Sequence, residues 1–303
     1  MSRTFDFFSN INEFKEVVPG VEASTTLTEM QAAFERASST IKGMITDTIW
    51  SALKTAMAEN SADEKLKSAI AYLQGAIGNR TYYHHLIFKV VGKKKEQVTF
   101  YKSEIQEMRE TYLDNYWTYM DKLLAVMDAN EASFDGWKET DYYKLRQELI
   151  LKTAGDFSKH CTLGDSVYFF MLTIPLQLET IDVHIASRKI TPDSWTDKPK
   201  LERNIKRAVA YTTAAAAIRQ FDYPDLPRSL RNDIYNETSK KNGKQEEWVK
   251  TEISKIFDAK SETYWSLVDQ ERAIPDQAAG ESTNIFIPAE EINDSSNSHF
   301  LMS

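Results

Sequence analysis

Five histidines (His84, His85, His160, His184 and His299) and a single cysteine, Cys161, are the side chains best suited to metal binding or nucleophilic chemistry. Their spacing favours neither. Successive side chains on a helix diverge by about 100°, so His84 and His85 cannot both face one ion from a regular helix. No H-x-x-x-H or H-E-x-x-H pattern occurs. The His160-Cys161 pair would need the imidazole to reach the thiol, a geometry that sequence neighbours seldom have, and no oxyanion motif accompanies it. One cysteine also excludes a disulfide framework within the chain and a multi-thiolate zinc site. No catalytic or metal-ligating residue, and no cofactor, is therefore expected.

Phosphate-binding loops and dinucleotide fingerprints are absent, since Gly75 and Gly78 fall inside a helical pattern rather than after a strand. The many carboxylates alternate with Lys and Arg along helical faces, the pattern of a solvated surface. Binding features remain. Tyr116-Trp117 and Tyr264-Trp265 suit either a sugar-stacking platform or a core stripe at helical spacing, and their burial decides between the two. Lys93, Lys94 and Lys95 form one basic cluster; Lys198, Lys200, Arg203, Lys206 and Arg207 form another. Each serves either solubility or contact with nucleic acid or an acidic partner. Finally, Ile285-Phe286-Ile287 is an extended apolar segment suited to strand addition, with Phe300, Leu301 and Met302 as a terminal anchor.

The composition points to a helical scaffold for these residues. Of 303 residues, 42% are apolar and 27% charged, a globular balance, and only ten glycines and eight prolines are present. Folds rich in tight turns need more of both. No run of eighteen apolar residues occurs, so no membrane span is expected, and the first residues lack the apolar region of a secretory signal. The net charge of −8 argues against indiscriminate nucleic-acid binding. It is unevenly spread. From residue 270 onward, six acids (Glu271, Asp276, Glu281, Glu290, Glu291 and Asp294) face only Arg272.

The chain also repeats itself. Ala69-Ile70-Ala71-Tyr72 returns as Ala208-Val209-Ala210-Tyr211, and the same interval carries Arg80 to Arg219. Thr40-Ile41 with Ile45 returns as Thr180-Ile181 with Ile185, and Lys102-Ser103-Glu104-Ile105 as Lys250-Thr251-Glu252-Ile253. Each of the last two is followed eleven residues on by its Tyr-Trp pair. Glu13-Phe14 has a fainter echo in Asp156-Phe157. Ordered matches at nearly constant interval indicate duplication, with the drift absorbed by loop insertions.

Apolar spacings of three and four predict a helix over 27–58, bent at Gly43, then a small-residue helix capped by the box Ser61 to Glu64. Leu86 to Val91 and Gln97 to Tyr101, rich in strand formers, predict a short β-hairpin with Lys93, Lys94 and Lys95 at its tip. A third helix over 102–128 buries Ile105, Met108, Tyr112, Tyr116, Met120, Leu123 and Met127. The second unit is expected to start its first helix near Pro175, its second after Asp197, and its third over 246–270. The reading is thus a mainly α chain of two tandem related three-helix units, a short β-hairpin and an extended C-terminal tail. Its segments are a first unit over 1–128, a linker and the start of the second unit over 129–160, the second unit over 161–272 and the acidic tail 273–303.

A phenylalanine-led segment before each long helix, an A-[IV]-A-Y helix, a basic hairpin and an acidic tail with an apolar end together resemble the head–tail connector (adaptor) proteins of tailed bacteriophages. The duplicated form from phages and prophages of Bacteroidetes hosts is the most similar. The second unit departs from the pattern, having only Pro224 to Pro227 and a polar stretch where the hairpin would lie. The resemblance implies a non-enzymatic virion protein, assembled in the host cytoplasm, forming a homo-oligomeric ring, usually of twelve copies, beneath the portal. It implies docking of Ile285, Phe286, Ile287, Phe300, Leu301 and Met302 on the portal protein, with further tail or connector-ring proteins on other surfaces. Lys93, Lys94 and Lys95 would lie near neighbouring subunits or the DNA in the channel, and no membrane is involved. The alternative is a helical-repeat ligand- or glycan-binding module using Trp117 and Trp265.

Overall fold

Helix caps and buried aromatic anchors set the first turns of the fold. The computed structural model describes residues 5–94, 102–191, 195, 197–240 and 246–273. Helix α1 (Ile11–Val17) starts at Asn10, whose side chain accepts from the amides of Asn12 and Glu13. The Glu13 carboxylate reaches back to accept from the Ser9 amide at 2.7 Å, and Phe14 pins the helix to the core. A 3-10 turn (Thr28–Met30) then leads into α2 (Gln31–Ala58), followed by α3 (Glu64–Lys94) and α4 (Lys102–Ala129).

Residues 131–160 form short 3-10 turns around α5 (Asp141–Leu145) and then α6 (Ala154–His160). Trp137, Phe134, Leu149 and Leu151 are all buried there, so this connection contributes to the core. Helix α7 (Val167–Thr180) runs on as a π-helical turn (Ile181–Ile185). It is followed by α8 (Pro199–Gln220), α9 (Arg228–Lys240) and α10 (Glu246–Ala273). The protein is mainly helical, with ten α-helices and no strand among the described residues.

The expected hairpin is not formed as predicted. Leu86 to Val91 continue α3, and Lys93 and Lys94 are its last two residues, whereas Lys95 and Gln97 to Tyr101 lie outside the described residues. By Leu86 the helix already has six turns behind it, and each added residue gains a backbone bond without a new nucleation cost. A β-propensity difference spanning only about 1 kcal/mol does not outweigh that. The cap of α3 also differs from expectation. Ser61 Oγ accepts from the Asp63 amide (3.3 Å) instead of that of Glu64, and Asp63 Oδ1 accepts from the Lys65 amide (2.8 Å), which places Glu64 inside the first turn rather than in a capping box.

Two further expectations shift. Helix α7 begins eight residues before Pro175, which lies in its interior; the surrounding Tyr168, Phe169, Phe170 and Ile174 are buried and hold the helix across the missing N–H. The break in α2 falls at Thr46 (φ 71°, ψ 158°), whereas Gly43 keeps helical geometry. On α4, Tyr112, Tyr116, Met120, Leu123 and Met127 are buried as expected, but Met108 is exposed near the end of the α3–α4 pair.

One continuous hydrophobic core draws on α2, α3 and α4 and on α7, α8 and α10 alike. The closest helix pairs are α3 with α4 and α8 with α10. Small residues permit these approaches. A Cβ at Gly75 would lie 2.5 Å from the Tyr119 ring, and one at Gly78 would lie 2.6 Å from Val18. In α8 the same role falls to Ala208, Ala210, Ala214, Ala215 and Ala217, all fully buried.

Candidate functional site

The Tyr-Trp pairs are core residues. Trp117 is buried and donates from Nε1 to the Pro224 carbonyl (3.0 Å); Trp265 is buried and donates to Thr212 Oγ1 (3.0 Å). Tyr116 is fully enclosed, its hydroxyl 3.1 Å from that of Tyr168. Neither tryptophan offers a face to a sugar. Of the second basic cluster, Lys200 pairs with Glu271 (2.5 Å), Lys206 with Glu202 (2.6 Å), and the Arg207 guanidinium packs 5.4 Å from the Tyr264 ring. Lys93 and Lys94 end α3, while Lys95 and the tail residues Ile285, Phe286, Ile287, Phe300, Leu301 and Met302 lie outside the described residues.

Cys161 and the described histidines have distinct surroundings, and His299 lies outside the described residues. Burial pushes the Cys161 thiol up to about 12, so it stays protonated and is no nucleophile. His160 is lowered, chiefly by burial and then by Lys206 and Arg207. The His184 ring stacks on Trp265 (5.1 Å, 13°), and Arg188 lies 4.7 Å from the same indole while pairing with Asp269 at 3.1 Å. These four side chains line an open groove of about 530 Å³ beside the last turns of α10. Within it Arg188 and Asp269 pair with each other, and Glu262 also lines it. Among the described residues no group of three or more His, Cys, Asp or Glu is placed to hold a metal ion, and no helix is long and apolar enough to cross a membrane.

The richest constellation lies where α3 and α4 meet the turn between α8 and α9. Pro224 and Pro227 keep that turn out of helix, and a 3-10 turn (Tyr223–Asp225) occupies it. Arg231, in the first turns of α9, is completely buried. Its Nε donates to Glu110 (3.1 Å), its Nη2 to Asp114 and its Nη1 to the Leu226 carbonyl (2.9 Å). Glu110 and Asp114 are one turn apart on α4, so both carboxylates face the same guanidinium. Arg228 adds a second, exposed contact to Asp114 at 3.2 Å. Charge-assisted bonds of this kind clamp the later part of the chain onto α4.

On the α3 side, Arg80 lies between the rings of Tyr116 (4.9 Å) and Tyr83 (5.4 Å), with its Nη2 3.7 Å from Asp225. Burial raises the Asp225 pKa, with Asp222 adding to it, while Arg80 and Arg36 pull it back. Next to Arg80, the His84 imidazole is pushed down to about 3, first by burial and then by Arg80, Arg36 and Arg109. It is therefore neutral across the ordinary pH range. Arg109 on α4 completes the group, 4.4 Å from the Tyr83 ring.

Sequence reasoning took Arg80 only as a marker of the repeat and passed over Arg109, Arg231 and Asp225. The available signal was Arg80 itself, a charged residue in the small-residue helix read as buried. Residues 44–147, roughly a third of the chain, match a family described as of unknown function (DUF6712). No curated protein and no solved structure matches the chain. The matched stretch takes in Arg80, Arg109, Glu110 and Asp114 and stops short of Asp225 and Arg231.

Proposed function

We propose that the protein is a non-catalytic virion subunit, a ring-forming head–tail connector built from two tandem copies of one helical unit. In this reading its acidic tail docks on the portal through Ile285, Phe286, Ile287, Phe300, Leu301 and Met302. The observation that carries it is the correspondence between the elements that open each half. Asn10 caps α1 and Thr153 caps α6, at the same interval that separates Phe14 from Phe157 and Val18 from Cys161. Both phenylalanines are buried, and the amides of Val18 and Cys161 close on their carbonyls at 3.0 and 2.9 Å.

Later elements follow in the same order. Ala69 and Ala208, which begin the two A-[IV]-A-Y motifs, are fully buried in α3 and α8. Helices α4 and α10 each place a Tyr-Trp pair, with both tryptophans buried. The first long helix of each half loses α-regularity, at Thr46 in α2 and in the π-turn Ile181–Ile185 after α7, which the repeat aligns with the residues just before Thr46. A duplicated helical unit followed by an acidic tail is the arrangement on which the connector resemblance rests. The burial of Trp117 and Trp265 counts against a glycan-binding module.

Mass spectrometry of purified particles and mixing of the recombinant chain with its portal test this reading. The protein is expected in particles at ring stoichiometry, and removing residues 276–303 should abolish portal binding while the far-UV helical signal persists. Absence from particles, or a full-length chain that stays monomeric without portal affinity, overturns it.

A further inference from the structure

We propose that Arg80, Arg109 and His84 form a binding site for a small inorganic oxyanion of the phosphate class, where α3 and α4 meet the turn before α9. Arg80 is almost wholly buried, yet its Nε and Nη1 have no hydrogen-bond partner. Its Nη2 stands 3.7 Å from Asp225, an ion pair too long to be a hydrogen bond. Arg109 Nε and His84 Nε2 are likewise buried without a partner. All three side chains gather around one ring, that of Tyr83: the guanidinium carbons lie 5.4 and 4.4 Å from its centroid and the imidazole 5.2 Å. Native proteins seldom leave buried donors unmatched, and here several occur on α3 and α4 around one ring.

The charge balance points to an anion. Arg231 and Arg228 are engaged by Glu110 and Asp114. That leaves Arg80, Arg109 and Arg36, which acts on both His84 and Asp225, against Asp225 and Asp222. A water molecule would satisfy two donors but leave the positive excess uncompensated. A tetrahedral oxyanion accepts from the paired N–H groups along a guanidinium edge and still has oxygens for a second donor. Neutral imidazole protonated at Nε2 supplies one further donor without adding charge. The site stands independently of the assembly that the chain enters.

Titrating the full chain with inorganic phosphate, against sodium chloride of equal ionic strength, tests the proposal by calorimetry and by unfolding temperature. A ligand held only by the folded state raises that temperature in a saturable way. Phosphate should do so and chloride should not, with Lys200→Gln responding as the unaltered protein does. Arg109→Gln, at a partly exposed position, should fold normally and weaken phosphate binding at least tenfold. Arg80→Gln should do the same; where it fails to fold, His84→Gln takes its place. Equal responses to phosphate and chloride, or equal phosphate affinity in Arg109→Gln and the unaltered chain, would overturn the site.

Discussion

Replacing Arg231 with methionine should cost the fold about 3 kcal/mol, the lower part of the range for breaking a buried ion pair. The reasoning starts from a guanidinium with no solvent exposure, bonded to two carboxylates and one carbonyl. Methionine fills much of the volume but leaves Glu110 and Asp114 without their partner. Both carboxylates are 21% exposed, and Arg228 still reaches Asp114, so water and a second cation relieve part of the penalty. For a chain of 303 residues, whose unfolding entropy is about 2.1 cal/mol/K per residue, about 3 kcal/mol corresponds to a drop of roughly 5 °C in unfolding temperature. Urea titration followed by circular dichroism measures it directly. Adding Glu110→Gln and Asp114→Asn to Arg231→Met should restore part of the loss, because the stranded charges are then gone. A loss below about 1 kcal/mol, typical of an exposed pair, would falsify the claim that this clamp is buried and paired.

Acid should destabilise the protein through His84, whose folded-state pKa of about 3 lies below its ordinary 6.5. The stability tied to its neutral form is complete above pH 6.5 and lost as pH falls toward 3, with a slope of at most about 1.4 kcal/mol per unit, reduced by solvent screening. His84→Gln should flatten that slope in urea titrations between roughly pH 6.5 and 5, before Asp121 and Asp225, whose pKa values are raised mainly by burial, act in the opposite sense. Gly75→Ala should destabilise by about 1–3 kcal/mol, since its Cβ would meet the Tyr119 ring at 2.5 Å. Gly43→Ala, with nothing within 4 Å, should instead stabilise by about 0.5–1 kcal/mol; the same thermal scan compares the two.

Helices were legible where apolar spacing ran long. The period of three and four across 27–58 and the small residues of α3 and α8 marked long helices and the buried ones among them. Local propensity failed where a neighbouring element dominated. Leu86 to Val91 look like a strand in isolation but inherit the register of the helix before them. The charged cluster around Arg80 was hidden for a different reason. Its members come from α3, α4 and the turn before α9, so only the packing of those elements brings them together. Arg231 and Glu110 are 121 residues apart in the chain, and no local pattern encodes that meeting.

The interruption of α2 shows the same division between pattern and strain. Glycine is the residue that the sequence offers for a bend, yet Gly43 stays helical and Thr46 takes φ 71° and ψ 158°. That conformation is nearly reserved to glycine and costs a side-chain-bearing residue about 1–3 kcal/mol. Ile45 and Ile49, on either side of the break, are both in the core, and their spacing of four would keep them on one face of an unbroken helix as well, so the strain is confined to the Thr46 backbone. Thr46→Gly should therefore raise stability by about 1 kcal/mol, the relieved strain less the added freedom of the unfolded chain. Thr46→Ala should gain nothing, because alanine carries the same Cβ penalty at positive φ. Urea midpoints of the two variants decide the matter. A glycine variant that loses about 1 kcal/mol, as glycine does in an ordinary helix interior, would mean that Thr46 bears no strain.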